Sequence, residues 1–146
     1  MALIINKKAH FNYELTETFE AGIALLGQEV KSLKKNQGSL LGAHVIVRGG
    51  EAYIVGMHIP PYQPNNTPKD YDPDRTRQLL LTKKELGELA GAEAQKGLTI
   101  VPISVYSKGR KLKLQIAIAR GKKKYDKREA LKKRDAEREI ARTLKG

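Results

Sequence analysis

The sequence predicts a mostly β domain, an antiparallel barrel with two or three short helices, followed by a basic C-terminal tail. Three observations predict it. Alternating apolar and polar residues recur along positions 1–120, the period of a strand with one buried face. Glycine-marked turns and short helical stretches separate these runs, so consecutive strands are expected to pair with their neighbours. Residues 121–146 lose the alternation and carry charge instead.

The first long strand is YELTETFEAGIALL, residues 13–26. Tyr13, Leu15, Phe19, Ala21, Ile23 and Leu25 share one face; Glu14, Thr16, Thr18 and Glu20 share the other, and Glu17 breaks the pattern. Gly22 is expected at a bulge or a close approach. A short helix over 28–35 follows, with Val30 and Leu33 on one side and Gly38 as its stop. HVIVRGGEAYIVG then reads as a hairpin, because Gly49-Gly50 supplies the positive φ of a two-residue turn. That register sets Val47 opposite Ala52, Val45 opposite Ile54, and Arg48 opposite Glu51 as a favourable charge pair.

Residues 57–78 hold five of the six prolines and form a loop of about twenty residues, a length that is usually functional or mobile. QLLLT, residues 78–82, reads as a short buried strand. Thr82 and Glu85 make a capping box for a helix whose inner face is Leu86, Leu89 and Ala90, ended by Gly97. LTIVPISVY is a strand that changes phase near Val101-Pro102, as at a bulge or an edge. In RKLKLQIAIA, Leu112, Leu114, Ile116 and Ile118 face inward, and Lys111, Lys113 and Gln115 face out. Five or six strands of this kind escape exposed edges by closing. The small barrel that does so is the oligonucleotide-binding fold.

Charge and composition narrow the partners. The chain has 146 residues, 28 basic and 16 acidic side chains, and a net charge of +12. Such an excess points to nucleic acid first and an anionic surface second. Residues 1–120 hold 17 basic and 11 acidic residues; residues 121–146 hold 11 and 5, so each part carries +6. We therefore divide the chain into a body, 1–120, and a tail, 121–146. The absence of cysteine excludes disulfides and thiolate metal sites and suits a reducing cytoplasm. The N-terminal apolar run is short and precedes the basic residues, the wrong order for a signal peptide, and nothing approaches a membrane span.

Catalysis finds no support in the motifs. His10, His44 and His58 are far apart in sequence, and neither a nucleophile elbow nor a phosphate-binding glycine loop is present. Asp70, Asp72 and Asp74 mimic the start of a calcium loop, but Arg75 stands where glycine is required and Leu81 where the closing Glu should be. No catalytic residue, metal or cofactor is expected. Lys31, Lys34 and Lys35 cluster on the short helix, and Arg75 and Arg77 end the long loop near Tyr62 and Tyr71, which could stack on bases. These residues fit either a solvated basic surface or a nucleic-acid face; the total charge favours the second.

The tail has helical spacing without a core face. Arg134, Arg138 and Arg142 align, as do Lys124, Arg128 and Lys132, and the apolar stripe is only Ala136, Ile140 and Leu144. Burying that stripe yields a few kcal/mol, against roughly 1 kcal/mol per residue for ordering the segment. Free, it is expected to be disordered or weakly helical, and to fold where phosphates neutralise it.

Five segments in order, GIALLGQEVKSL, MHIPPY, RTRQLLLTKKEL, GLTIVPISVY and ARGKKKYDKRE, resemble the SmpB family of bacterial trans-translation. The resemblance covers nearly the whole chain. YSKGRKLK is a little shorter than usual between the last two strands, and Tyr125 stands where some members carry His. The resemblance implies a monomeric, non-enzymatic adaptor that binds the tRNA-like domain of transfer-messenger RNA on its D-loop side and delivers it to stalled ribosomes. Glu29, Val30, Lys31 and Ser32 match the family's RNA-contact motif; Lys34, Arg75 and Arg77 complete the expected body surface. In the tail, Lys122, Lys123, Tyr125, Asp126, Lys127 and Arg128 would meet the decoding centre of the small subunit and its 16S ribosomal RNA. Arg134, Arg138 and Arg142 would line a helix in the empty mRNA channel. The competing expectations are a general basic RNA-binding protein on the same barrel and, more remotely, a nuclease.

Overall fold

A computed structural model of the chain describes residues 2–63, 65 and 67–121. Its elements are β1 (Ala2–Ile5), α1 (Ala9–Asn12), β2 (Tyr13–Ile23), α2 (Gly27–Lys34), β3 (His44–Arg48), β4 (Glu51–Val55), β5 (Arg77–Leu80), α3 (Lys83–Ala94), β6 (Leu98–Lys108) and β7 (Lys111–Gly121). The tail residues named above, from Lys122 to Leu144, lie outside the described residues.

Every strand pairing is antiparallel. The order β6-β3-β4-β5-β2-β7 returns to β6, and β1 adds to the same edge of β6 beyond β3. The ring has two narrow seams. β2 and β5 share two residue pairs, Gly22↔Leu80 and Ile23↔Leu79. β3 meets β6 only at Val45↔Ile100. A side chain completes the second seam: Glu93 on α3 accepts the Val47 N–H at 2.8 Å. A strand N–H that finds no strand partner is costly when shielded from water, and here a carboxylate satisfies it.

The inward faces of the ring make the core, with Phe19, Ala21, Val45, Ile54, Leu79, Ile100, Leu114 and Ile116 among its buried residues. The irregularities fall where the sequence breaks phase. β2 shifts register between Leu15 and Glu17, and β6 between Pro102 and Ser104. Gly22 is a close approach: a Cβ there would lie 3.1 Å from Leu80 Cβ. The Gly49-Gly50 hairpin has the expected register, with φ of 60° and 76° at the turn.

Four details depart from the sequence reading. The described residues form seven strands, because Ala2–Ile5 pairs with β6 although only Ile4 of it is buried. Arg48 stands opposite Glu51 but forms its ion pair with Glu93, while Glu51 accepts from Gln78 Nε2 at 3.1 Å. The inner face of α3 is Leu86, Leu89 and Ala92, with Ala90 exposed; this rotation lets Glu93 reach β3. In QLLLT only Leu79 is fully buried, and Leu80 covers Gly22 from outside.

Candidate nucleic-acid interface

α2 begins at Gly27 after Leu26, and its third residue is Glu29. Glu29 Oε1 accepts the Leu26 N–H at 2.8 Å, so the carboxylate caps the helix start, where the helix dipole also favours negative charge. Only 1% of Glu29 is exposed. A buried carboxylate requires compensation, and the far end of the long loop supplies it. Arg75 donates to both oxygens, from Nε at 3.1 Å and Nη2 at 2.5 Å. Arg77, wholly buried, donates to Oε2 from Nε at 2.8 Å and Nη2 at 2.5 Å. Bidentate guanidinium–carboxylate pairs are among the strongest charge-assisted contacts.

The same guanidinium ties down the loop. Arg77 donates to the carbonyls of Met57 at 2.6 Å, Arg75 at 3.0 Å and Pro73 at 3.0 Å. Tyr71 Oη lies 2.8 Å from Ile59 O and 3.1 Å from Glu29 Oε2. Ser32 of α2 donates to Pro60 O at 2.8 Å, and Thr67 Oγ1 lies 3.0 Å from Gln28 Oε1. Thus a loop of five prolines is strapped to one short helix through a buried Glu and two Arg. Among the described residues, no buried side-chain nitrogen or oxygen lacks a partner.

Burial opposes ionisation of Glu29, but the Arg75 guanidinium, the Leu26 amide and Arg77 outweigh it and hold its pKa below the usual carboxylate value. Tyr71 is shifted upward, first by burial and then by the neighbouring Glu29 charge. Two guanidinium ions against one carboxylate leave the cluster at net +1. Arg75, whose side chain is 31% exposed, presents that charge to solvent.

The surface here is polar and mixed in charge, with Asp72 and Asp74 exposed on the loop beside Arg75 and Lys31 exposed on α2. Lys31 Nζ sits 5.8 Å from the centre of the Tyr62 ring, a cation–π distance. Gly27, Gln28, Lys31, Tyr62, Gln63 and Thr67 line a shallow groove of about 220 Å³. Lys34 at the end of α2 and Lys35 just after it are exposed. Ammonium and guanidinium groups beside a planar ring suit a phosphate backbone with an unstacked base.

The residues named from sequence therefore separate. Lys31, Lys34 and Arg75 stand at the surface; Val30 packs partly against the core. Glu29, Ser32 and Arg77 are buried and wholly engaged inside the chain. What these three do in the described structure is hold the proline-rich loop on α2. Tyr71 likewise belongs to the network, which leaves the half-buried Tyr62 as the ring beside Lys31 on this surface. Gln28 and Thr67 were not foreseen: 39 residues separate them, and only the strapped loop brings them together. Asp72 caps its own turn by accepting the Asp74 N–H at 2.9 Å, and Asp74 pairs with His58 at 2.8 Å. Among the described residues, no three His, Cys, Asp or Glu gather as a metal site, and no helix is long and apolar enough to cross a membrane.

With this geometry in place, three comparisons bear on it. The family model described as SmpB protein matches residues 3–146. The SsrA-binding protein of Microcystis aeruginosa is 48% identical over 140 residues, 96% of this chain and 91% of that protein. The SsrA-binding protein of Oleidesulfovibrio alaskensis is 52% identical over 139 residues, 95% and 89% of the two chains. A solved structure described by the words "tmRNA-SmpB: a journey to the center of the bacterial ribosome" superposes with a TM-score of 0.70 at 41% identity, covering 88% of this chain and 93% of that one.

Proposed function

Because the chain belongs to the SmpB family, we propose that it is an RNA-binding adaptor of bacterial ribosome rescue. It binds transfer-messenger RNA and acts with it on the ribosome in trans-translation. The observation that carries this reading is the Glu29-centred cluster, which fixes α2 and the proline-rich loop as one rigid cationic face. A preorganised face loses little entropy when a folded RNA docks, and its charge supplies affinity through counterion release. The RNA element it meets is the tRNA-like domain on its D-loop side, through Lys31, Lys34, Arg75 and the Tyr62 ring.

The division of labour goes further in the same reading. Residues 1–120 hold the RNA. Residues 121–146 meet the decoding centre and the empty mRNA path on the small subunit, with Lys122, Lys123, Asp126, Lys127 and Arg128 on ribosomal RNA and Tyr125 stacked on a base. Arg134, Arg138 and Arg142 line the helix beyond. An occupied mRNA path would clash with that helix, so selection of stalled ribosomes is steric and the protein catalyses nothing itself. It works in the cytoplasm as a monomer.

Competition binding tests the first step. At moderate salt, full-length transfer-messenger RNA should displace an unstructured RNA of equal length from the protein. Equal binding of the two would assign the chain to general basic RNA binding instead.

A further inference from the structure

The tight turn between β6 and β7 concentrates charge that the described residues neutralise only in part. Lys108, Arg110 and Lys111 are exposed, and Gly109 sits between them with φ of 63°. Lys108 pairs directly with Lys111 across the strands, and Lys113 with Tyr106. Like charges set opposite one another weaken a hairpin, so this arrangement costs stability in the free protein. One carboxylate answers four cations: Glu20 on β2 accepts from Lys108 Nζ at 3.0 Å and from Tyr106 Oη at 2.6 Å. Arg110, Lys111 and Lys113 have no acidic partner among the ion pairs of the described residues.

The register fixes where this turn lies. Lys113 pairs with Gly22, and the next residues of β2 run through Ala24, bonded to Gln78 O at 2.9 Å, into Leu26 and α2. Arg77 stands one residue from Gln78. The β6–β7 turn therefore shares one end of the barrel with the α2–loop face, a few strand spacings away.

We propose that the β6–β7 turn is a second RNA-binding arm, which grips the sugar-phosphate backbone of the same folded RNA that docks on α2 and the proline-rich loop. Serine, glycine and cations make up residues 107–111. They offer no apolar anchor for a protein hot spot and no wedge for a membrane. They offer no free ring for a base either, since Tyr106 is held by Glu20. What remains is point charge, which reads position and not sequence. The inference rests on the RNA-binding reading above.

Its test is the salt dependence of binding by the full chain to the tRNA-like domain of transfer-messenger RNA. Each phosphate contact steepens log K against log salt by about 0.9. Replacing Arg110 and Lys111 together with Ala should flatten that slope by roughly 1.8 without lowering thermal stability, since it also relieves the Lys108–Lys111 repulsion. Glu20→Gln should steepen it, by releasing Lys108. An unchanged slope in the double variant would overturn the arm while wild-type binding keeps the RNA reading. A loss of ribosome association with an unchanged RNA slope would assign the turn to another surface and also overturn it. Failure of the wild-type protein to bind the RNA would defeat the underlying reading, and the arm with it.

Discussion

Glu29→Ala lowers the stability of the body by about 3–5 kcal/mol, the cost of breaking a buried ion pair from one side. The substitution removes the acceptor for Arg77, which is wholly buried and cannot turn to water. It also removes the cap on Leu26 and the anchor of Arg75. Urea unfolding measures the loss. Glu29→Gln preserves volume but leaves the Arg77 charge uncompensated, so it too is strongly destabilising. Glu29→Gln combined with Arg77→Met costs less than the two single changes added, because neither ion is then stranded. Additive costs would show that the two side chains act independently.

The pH dependence of that stability follows from the same carboxylate. Its folded pKa lies below the ordinary 4.5, so its contribution is complete above about pH 4.5 and is lost as pH falls through the lowered value. The acid limb of the stability curve should therefore be steeper in the wild type than in Glu29→Gln. RNA affinity should fall along with stability in both variants, since Arg75 and the loop lose their common anchor.

Removing residues 122–146 abolishes ribosome rescue, measured as tagging of stalled peptides, while affinity for the tRNA-like domain stays within a few-fold of wild type. The strand that precedes the cut is secure: β7 pairs with β6 through Leu98↔Arg120 and with β2 through Tyr13↔Gly121. The removed segment carries half of the net charge, yet the body keeps the α2–loop face. A large loss of RNA affinity would show that the tail, and not the body, holds the RNA. Normal tagging would remove the tail from the mechanism.

Alternation placed β2, β6 and β7, because each has one face in the core and one in water, and the Gly49-Gly50 turn placed the β3–β4 hairpin. Glu17 and Pro102 each marked a register shift, since a single misfit in a period of two can only be absorbed by a bulge. β1 was not legible: at four residues on one edge of β6 it buries only Ile4, so it has no period to show. The site was half legible. Spacing and charge singled out Lys31, Lys34, Arg75 and Arg77, but sequence cannot say which cations face water. Glu29 and Arg77, 48 residues apart, form one buried cluster only because the loop folds back on α2. The same blindness misassigned Arg48, whose partner is Glu93 on a helix 45 residues away and not the residue across the hairpin.

Photo-crosslinking from a benzophenone side chain placed at Tyr62, in growing cells, with sequencing of the captured RNA, addresses the α2–loop face most directly. Reads concentrated in the tRNA-like domain of transfer-messenger RNA are expected. Reads spread over ribosomal and messenger RNA, with none enriched there, would contradict that expectation.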